Sequence, residues 1–399
     1  MKLKGLPEKG LEDKKVLVRV DFNVPLRDGA VSDDTRILAH LDTIRKLREA
    51  DARITLVSHL GRPKGKVAPE FSLKPAAYRL AELTGWDIGF VGECTGPVVS
   101  EAVSKARPGS ILVLENVRFH PEEEKNDAAF ARLLAEPFDA FVMDAFSAAH
   151  RGHASTQAIT AFLPSYAGNL LCREVETLGQ VRDNPERPFT LILGGAKVSD
   201  KIGVIEHLLE RVDTILVGGG MAFTFLKAQG MEIGRSLLEE DRVSFAGDLL
   251  EKAAARNLRI VLPEDVVAAE GLEVEGPVEV FPANAIPGQF MGLDIGPLTA
   301  EEFSRVIEKS RTVLWNGPMG VFEKPAFAEG TRKIAQSLAA ATESGCLTVV
   351  GGGDTAAAVN EMGFSNRVSH VSTGGGASLE FFEGLSLPGI EPFMPSKGF

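Results

Sequence analysis

Two lysines, Lys197 and Lys201, stand four residues apart in the stretch LILGGAKVSDKIG, directly after a glycine pair. If this stretch continued as a helix, the lysines would share one face, where like charges at this spacing destabilise a helix by roughly 0.2–0.5 kcal/mol. We therefore expect an anionic group to bind between them. With Gly194 and Gly195 ending a strand, the lysines could hold a phosphate chain and the group being transferred. Two exposed lysines without a ligand are the simpler interpretation, but their mutual repulsion and their position disfavour it.

Charged and polar side chains also follow the predicted strands of the first half of the chain. In open α/β sheets ligands bind beyond the carboxyl ends of the strands, so we expect these side chains to converge. One arginine after a strand is more often a surface residue, but four on successive loops of an acidic protein predict a site for a small polyanion, because the planar guanidinium suits carboxylate and phosphate oxygens. The residues are Asp21, Asn23, Arg36, His59, Arg62, Arg118, His150, Arg151 and His153.

The spacing of His150 and His153 would also permit a metal site. Arg151 between them would repel a cation, however, and the sequence indicates no third ligand. We therefore favour an anion site without a metal in this half.

Glycines follow nearly every predicted strand of the second half. Glycine lets the backbone approach a ligand closely and leaves N–H donors for phosphate oxygens. One such pair after a strand would indicate only a turn, but the repeated pattern predicts a nucleotide site. The glycines are Gly194 and Gly195, Gly218 to Gly220, Gly317, Gly351 to Gly353, and Gly374 to Gly376.

Motif spacing narrows the class of nucleotide site. GRPKGK at Gly61 and GGAKVSDK at Gly194 both fail the P-loop pattern GxxxxGK[ST]. GGGDTA at Gly351 fits the dinucleotide pattern GxGxxA, but the next predicted strand ends in SHVSTGGG, without the acid that would bind a ribose. An NAD-dependent dehydrogenase is therefore the weaker alternative. Asp354 is predicted at a helix N-terminus, where it could hold Mg²⁺ or could simply cap the helix.

Short apolar and β-branched segments alternate with helical patterns along the whole chain, which predicts two doubly wound, Rossmann-like α/β domains with parallel sheets. One helix from about Ala167 to Arg182, ended by Pro185 and Pro188, would join them as a hinge. The predicted domains are 1–168 and 169–387. The predicted strand segments are VLVRV from Val16, ITLVSHL from Ile54, IGFVGE from Ile88, ILVLENV from Ile111, AFVMDAF from Ala140, FTLILGG from Phe189, TILVGGG from Thr214, RIVLPEDVV from Arg259, TVLWNGP from Thr312, LTVVGGGD from Leu347 and RVSHVSTGGG from Arg367.

Composition excludes several classes of protein. The chain has 399 residues, 44% of them hydrophobic, and a net charge of −12, which argues against a general nucleic-acid binder. The opening MKLKGLPEKG lacks an apolar core and no apolar run reaches the length of a membrane span, so we expect a cytoplasmic protein. A two-domain solute-binding protein would need an export signal. The cysteines Cys94, Cys172 and Cys346 are predicted to be small buried residues without disulfides.

Long motifs in a fixed order give the chain a close resemblance to phosphoglycerate kinase over nearly its whole length. They are VLVRVDFNVP, SHLGRPKG, LVLENVRFHPEEEKND, LGGAKVSDKI, GGGMAFTFLKA, LPEDVV, MGLDIGP, WNGPMGVFE, GGGDTAAAV and HVSTGGGASLEFFEG. The resemblance implies Mg²⁺-dependent phosphoryl transfer between 1,3-bisphosphoglycerate and ADP, giving 3-phosphoglycerate and ATP. It also implies a monomer that closes around its substrates, and a C-terminal segment, from about residue 388 to 399, that returns to the first domain.

The same resemblance assigns roles to individual residues. The phosphoglycerate would be bound by Asp21, Asn23, Arg36, His59, Arg62, Arg118 and Arg151. Arg36, Lys197, Gly375 and Gly376 would contact the transferring phosphoryl group, Glu323 the ribose and Asp354 the metal. The predicted nucleotide site comprises Gly194, Lys197, Lys201, Gly218, Gly292, Asn316, Glu323, Gly352, Gly353, Asp354 and Thr355.

One loop departs from the usual pattern of this family. The stretch DAFSAAHRGHAST has Ser147 and Ala148 where the family usually shows glycine and a small hydroxyl residue, Gly152 where alanine is common, and Met143 where Asn often precedes the Asp. Because Arg151 is retained, we expect altered loop stiffness and not a loss of chemistry.

Overall fold

The computed structural model describes residues 2–273 and 278–395. The chain forms two compact units, the first comprising the chain up to Glu176 and the segment from Ser386 onwards, the second spanning Thr177–Leu385. The division falls inside the helix that the sequence predicts from about Ala167, which is observed from Asn169 to Asp183. The predicted domain ranges and the hinge stay predictions.

The first unit is built on a six-stranded parallel sheet of order β5-β6-β4-β1-β7-β8, with a small antiparallel hairpin of β2 and β3 beside it. Val16, Leu17 and Val18 of the central strand are fully buried, as expected of a parallel strand with both faces covered. The strands are β1 Lys15–Arg19, β2 Leu26–Arg27, β3 Ala30–Val31, β4 Arg53–Val57, β5 Ile88–Val91, β6 Ile111–Leu114, β7 Ala140–Met143 and β8 Ser165–Ala167. The helices are α1 Thr35–Ala39, α2 Leu41–Glu49, α3 Lys74–Thr84, α4 Pro97–Lys105, α5 Pro121–Glu124, α6 Ala128–Ala135 and the beginning of α7 Asn169–Asp183.

The second unit has a parallel six-stranded sheet of order β11-β10-β9-β15-β16-β17 and a separate antiparallel sheet of order β13-β12-β14. The strands are β9 Phe189–Leu193, β10 Thr214–Val217, β11 Arg259–Val261, β12 Asp265–Ala269, β13 Glu279–Pro282, β14 Met291–Ile295, β15 Thr312–Asn316, β16 Leu347–Gly351 and β17 His370–Val371. The helices are α8 Ile202–Leu208, α9 Ala222–Ala228, α10 Val243–Ala255, α11 Pro297–Glu308, α12 Glu329–Glu343, α13 Gly353–Glu361 and α14 Gly376–Phe382.

The predicted class of two doubly wound parallel-sheet domains is confirmed, but one predicted strand is wrong. RIVLPEDVV is two strands, β11 and β12, which belong to different sheets. Pro263 lies between them, and proline has no N–H to donate to a sheet. The three cysteines are free, and Cys172 is only half-buried, unlike Cys94 and Cys346.

Candidate functional site

Asp21, two residues beyond β1, is the centre of the polar contacts in the first unit. Its Oδ2 accepts hydrogen bonds from Nη1 of Arg36 and from the Ser147 hydroxyl, and its Oδ1 accepts one from the Asn23 backbone N–H at 3.1 Å. Burial alone would raise the pKa of the Asp21 carboxyl, but Arg36 and these hydrogen bonds hold that pKa well below its ordinary value. Asp21 is therefore ionised at neutral pH and orients the Arg36 guanidinium.

Asn23 extends this set of contacts to the loop after β4. Its Oδ1 accepts a hydrogen bond from the Gly61 N–H at 2.8 Å, and the Gly61 carbonyl accepts one from Nη1 of Arg118 at 2.8 Å. Burial lowers the pKa of Arg118 to about 10, so its guanidinium is still charged at neutral pH. Its buried Nε has no hydrogen-bond acceptor among the described residues, and the nearest carboxylate oxygen, on Glu124, lies 3.4 Å away. A charged guanidinium with a free N–H suits an incoming anion.

Arg19 of β1 is hydrogen-bonded to His59 and is a site residue that the sequence analysis missed. It is 1% exposed, and its Nη2 donates to His59 Nδ1 at 3.1 Å. Because arginine can only donate, Nδ1 carries no proton and the ring proton of His59 is on Nε2. Burial and the Arg19 charge hold the pKa of His59 well below 6.5, so the ring is neutral at pH 7. An arginine inside the apolar segment VLVRV was the sequence signal that could have revealed it.

The other predicted residues of this site make fewer contacts. Arg62 follows Gly61 and is exposed, whereas Nε of Arg151 donates to Nε2 of His150 at 3.1 Å. Burial lowers the pKa of His150 to about 4 and that of His153 to about 3, so both rings are neutral at pH 7. Direct hydrogen bonds thus connect Arg36, Asp21, Asn23, Gly61 and Arg118, while Arg62 and Arg151 lie on the adjoining loops.

The polar cluster of the second unit lies at the carboxyl ends of β15 and β16. Nζ of Lys201 donates to Oδ1 of Asn316 at 2.5 Å, and the Gly317 N–H donates to the Thr355 hydroxyl at 2.7 Å. Nδ2 of Asn316 is buried and has no hydrogen-bond partner among the described residues. Burial lowers the pKa of Lys201, opposed by the charges of Asp200, Asp354 and Glu383. Nζ of Lys201 and Nδ2 of Asn316 are thus two hydrogen-bond donors that lie close together.

The glycine loops of the second unit pack against one another, which the sequence analysis did not foresee. A Cβ on Gly194 would lie 2.2 Å from the Pro318 carbonyl oxygen, and one on Gly317 would lie 2.1 Å from the Gly194 carbonyl oxygen. A Cβ on Gly219 would lie 2.6 Å from the Gly195 nitrogen, and one on Gly218 would lie 2.6 Å from Sδ of Met319. These glycines therefore permit the close contact of three loops. Gly353 and Gly375 differ, because a Cβ on either would meet nothing within 4 Å.

Lys197 and Lys201 do not share a helix face, so that premise of the sequence analysis is wrong. Helix α8 begins at Ile202, Lys201 is its N-cap residue, and Lys197 is exposed on the preceding loop. The loop is held by Glu239, whose carboxylate accepts hydrogen bonds from the N–H groups of Val198 at 2.5 Å and Ser199 at 3.2 Å. The Ser199 hydroxyl adds a third at 2.6 Å. Glu239 is a second residue that sequence reasoning missed.

Helix α13 presents its N-terminus beside this cluster. Gly352 is the N-cap residue and Asp354 lies in the first turn, so the N-cap role considered for Asp354 is wrong. The first amide groups of a helix have no intrahelical acceptor and attract anions. Gly375 is the N-cap of α14, and Gly376 is its first residue. A Cβ on Gly351 would lie 3.8 Å from the Ser378 hydroxyl of α14, so the starts of both helices are close.

Gly292 and Glu323, the remaining predicted nucleotide-site residues, lie near the antiparallel sheet. The Val321 N–H donates to the Leu293 carbonyl at 2.9 Å, which places the loop bearing exposed Glu323 beside β14. A Cβ on Gly292 would lie 2.1 Å from the Phe223 ring of α9, the helix that follows the Gly218 to Gly220 loop. Gly292 therefore packs against the helix that follows the Gly218 to Gly220 loop, and Glu323 lies on a loop beside the strand that contains Gly292.

Comparison with known proteins gives the family. A family model described as phosphoglycerate kinase matches residues 6–385. The chain belongs to the phosphoglycerate kinase family. A curated phosphoglycerate kinase of Moorella thermoacetica is 54% identical over 380 residues, covering 95% of this chain and 96% of that protein. One of Chlorobaculum tepidum is 53% identical over 392 residues, covering 98% and 99%.

Solved structures of phosphoglycerate kinases share the fold. The structure of the phosphoglycerate kinase from Coxiella burnetii matches with a TM-score of 0.85 at 41% identity, covering 96% of each chain. That from Pyrococcus horikoshii OT3 matches with a TM-score of 0.84 at 31% identity and the same coverage. The resemblance found from motifs is thereby confirmed, and this phosphoglycerate kinase family member is a phosphotransferase. Among the described helices, none combines the length and apolar character needed to cross a membrane.

Proposed function

We propose that the chain transfers a phosphoryl group reversibly between 1,3-bisphosphoglycerate and Mg-ADP, giving 3-phosphoglycerate and Mg-ATP, as a cytoplasmic glycolytic monomer. The hydrogen-bonded set from Arg36 through Asp21, Asn23 and Gly61 to Arg118 carries this proposal for the first unit. It holds two guanidinium groups at one edge of a sheet, where a phosphate and a carboxylate would bind. Arg62, Arg151 and neutral His59 would add donors from the adjoining loops.

The second unit would bind the nucleotide. The amide groups at the start of α13, together with Lys201 and the free Nδ2 of Asn316, would donate to phosphate oxygens. Lys197, on the exposed part of its loop, would reach the transferring group, and the amides of Gly375 and Gly376 would do the same from α14. Gly194 and Gly218 would shape the loops that line the phosphates, and Gly292 and exposed Glu323 would lie at the ribose end.

The donors available suit Mg²⁺. Asp354 is exposed in the first turn of α13, and a carboxylate oxygen is a hard ligand. The described residues contain no group of three or more His, Cys, Asp or Glu side chains that could hold a metal. This fits an ion held by Asp354 and, for the rest, by nucleotide oxygens and water. When bound, the ion would neutralise charge on the nucleotide phosphates.

The chemistry proposed here requires no general base. The nucleophile towards ATP is a carboxylate, which is already ionised at neutral pH because its unperturbed pKa is near 4. The residues supply charge and alignment, since phosphoryl transfer depends mainly on positioning and electrostatic stabilisation. His59, His150 and His153 have pKa values lowered by burial, so they serve as neutral hydrogen-bonding groups.

A coupled assay tests this proposal. Purified protein receives 3-phosphoglycerate, ATP and Mg²⁺, and added glyceraldehyde-3-phosphate dehydrogenase reports the product through NADH oxidation. We expect turnover that Arg36→Ala abolishes and that Arg45→Ala, an exposed arginine on α2, retains. Turnover that is equal in both variants, or absent from the wild type, would contradict the proposed function.

A further inference from the structure

His40, between α1 and α2, is a buried histidine with both ring nitrogens hydrogen-bonded. It is 1% exposed, the Asp21 backbone N–H donates to its Nε2 at 2.8 Å, and its Nδ1 lies 2.6 Å from Oδ2 of Asp144. A nitrogen that accepts from an N–H carries no proton, so the ring proton is on Nδ1 and is donated to Asp144. His40 is therefore a neutral imidazole with a defined tautomer, although it contacts a carboxylate.

Asp144, directly after β7, is fully buried and is satisfied without a protonated histidine. Its Oδ1 accepts hydrogen bonds from the Thr43 hydroxyl at 2.7 Å and from the Leu170 backbone N–H at 3.0 Å. Leu170 is in the first turn of α7, where the helix dipole favours a negative charge. A Cβ on Gly168 would lie 2.0 Å from Oδ1 of Asp144, so only glycine allows α7 to begin this close. Asp144 thus fixes the orientation of the His40 ring through the hydrogen bond that it accepts from Nδ1.

We propose that His40 is a positioning residue for the phosphoglycerate site. Its Nε2 fixes the backbone at Asp21, whose carboxylate orients Arg36, while His40 itself directly follows the helix that carries Arg36. One ring thus sets the position of both members of the ion pair. The role rests on the function proposed for Asp21 and Arg36 above.

Two variants of His40 separate its two hydrogen bonds. His40→Gln places a carbonyl oxygen near the position of Nε2 and keeps an acceptor for the Asp21 N–H. His40→Asn places an amide near the position of Nδ1, so it keeps the donor to Asp144 and leaves the Asp21 N–H without an acceptor. We expect His40→Asn to raise the KM for 3-phosphoglycerate about tenfold, the factor that one buried hydrogen bond supplies. His40→Gln should raise it much less, and neither variant should change the KM for ATP.

Leu47→Ala provides the control for stability. Leu47 is on α2, is 1% exposed, and is an apolar core residue, so its truncation lowers the melting temperature without removing the Asp21 hydrogen bond. We expect its KM for 3-phosphoglycerate to stay at the wild-type value. If Leu47→Ala raised this KM as much as His40→Asn, or if His40→Asn left it unchanged, the positioning role would be overturned.

Nitrogen-15 NMR of the uniformly labelled protein tests the role without relying on turnover. We expect His40 to show a protonated Nδ1 and an unprotonated Nε2, and hydrogen exchange of the Asp21 amide to quicken in His40→Asn but not in His40→Gln. An Nε2 proton, or exchange that is the same in both variants, would refute the positioning role. A wild type without turnover that still passed this test would count against the proposed function alone.

Discussion

Lys197 is accessible to a ligand, because its side chain is exposed on a loop whose neighbouring backbone N–H groups donate hydrogen bonds to Glu239. A cation that meets the transferring phosphoryl group interacts more strongly with the transition state than with the bound substrate. We therefore predict that Lys197→Ala lowers kcat by about 10²- to 10³-fold and changes the KM for ATP much less. Steady-state kinetics with Lys252→Ala, an exposed lysine on α10, as the control would check this. An unchanged kcat would remove Lys197 from the catalytic residues.

Arg19 is connected to Glu123 through a single hydroxyl group. Nε of Arg19 donates to the Ser155 hydroxyl at 2.8 Å, which donates to Oε1 of Glu123 at 2.6 Å, and Glu123 is fully buried. We predict that Arg19→Met destabilises the chain by about 3–5 kcal/mol, because it leaves a buried carboxylate without its cation.

Urea denaturation measures the decrease in the unfolding free energy of Arg19→Met. Arg45→Met, at an exposed position, is the control and should leave the unfolding midpoint nearly unchanged. Adding Glu123→Gln to Arg19→Met should recover part of the stability, because the unpaired charge is then removed. If the double variant were as unstable as the sum of the two single changes, Arg19 and Glu123 would not be coupled.

These buried residues show where sequence reasoning fails at the scale of single side chains. Asp21, Arg36 and Arg118 could be predicted, because each follows a recognisable strand or motif. Arg19, His40, Asp144 and Glu239 owe their roles to contacts with residues far along the chain, and no local pattern encodes such contacts. Ser147 is intermediate, since it was noted only as a departure from the family, whereas the structure shows its hydroxyl on Asp21.

At the scale of elements, sequence patterns predicted the strands that are long, apolar and buried. The segments VLVRV and FTLILGG coincide closely with β1 and β9. The short strand β8 and the antiparallel sheet were missed, because three residues carry too little pattern and because pairing between β12, β13 and β14 depends on contacts across the chain. Helix α8 begins later than the lysine spacing suggested.

Three hydrogen bonds to Glu239 hold the loop before α8, so a change at Glu239 tests whether the position of this loop matters for activity. We predict that Glu239→Ala lowers kcat at least tenfold, because it removes the three hydrogen bonds that hold the segment next to Lys197. The KM for 3-phosphoglycerate should not change, since the proposed site for that substrate is in the first unit. Glu240→Ala alters an exposed neighbour and should retain full activity. Equal activity in the two variants would show that the loop needs no anchor.

At the scale of the whole molecule, one buried acid should shape the dependence of stability on pH. Asp294 of β14 is 5% exposed, and burial raises its pKa to about 7 despite hydrogen bonds from the Gly330 and Ile295 amides. Between about pH 4 and pH 7 the folded chain holds a proton that the unfolded chain has released. Stability contributed by this group therefore falls as pH rises through that window, by roughly 4 kcal/mol in total, and then levels off.

Asp294→Asn cannot ionise, so we predict that the unfolding free energy of the wild type falls relative to this variant as pH rises from about 4 to 7. Urea denaturation of both proteins across this range provides the measurement. High salt should preserve the effect, because burial and not surface charge causes the shift. Parallel stability curves would show that Asp294 is ionised in the folded chain.

The net charge of −12 gives the whole chain the same sign as its proposed substrates. Long-range repulsion would slow the approach of such anions, and the arginines and lysines of the two proposed sites oppose it locally. The acidic composition argues against a general nucleic-acid binder, but it does not indicate where the few cations that would bind these anions lie. That information came from the motifs and from the hydrogen bonds of Asp21.

The interlocked glycine loops after β9, β10 and β15 have a consequence for protein engineering. Because a side chain on Gly194, Gly219 or Gly317 would collide with the backbone of a neighbouring loop, these loops cannot be diversified one at a time. A library aimed at a different nucleotide would have to replace all three loops together, or leave them intact and vary positions with open space such as Gly353. The second unit thus contains three loops that have to be exchanged together and a few positions, such as Gly353, that can be changed singly.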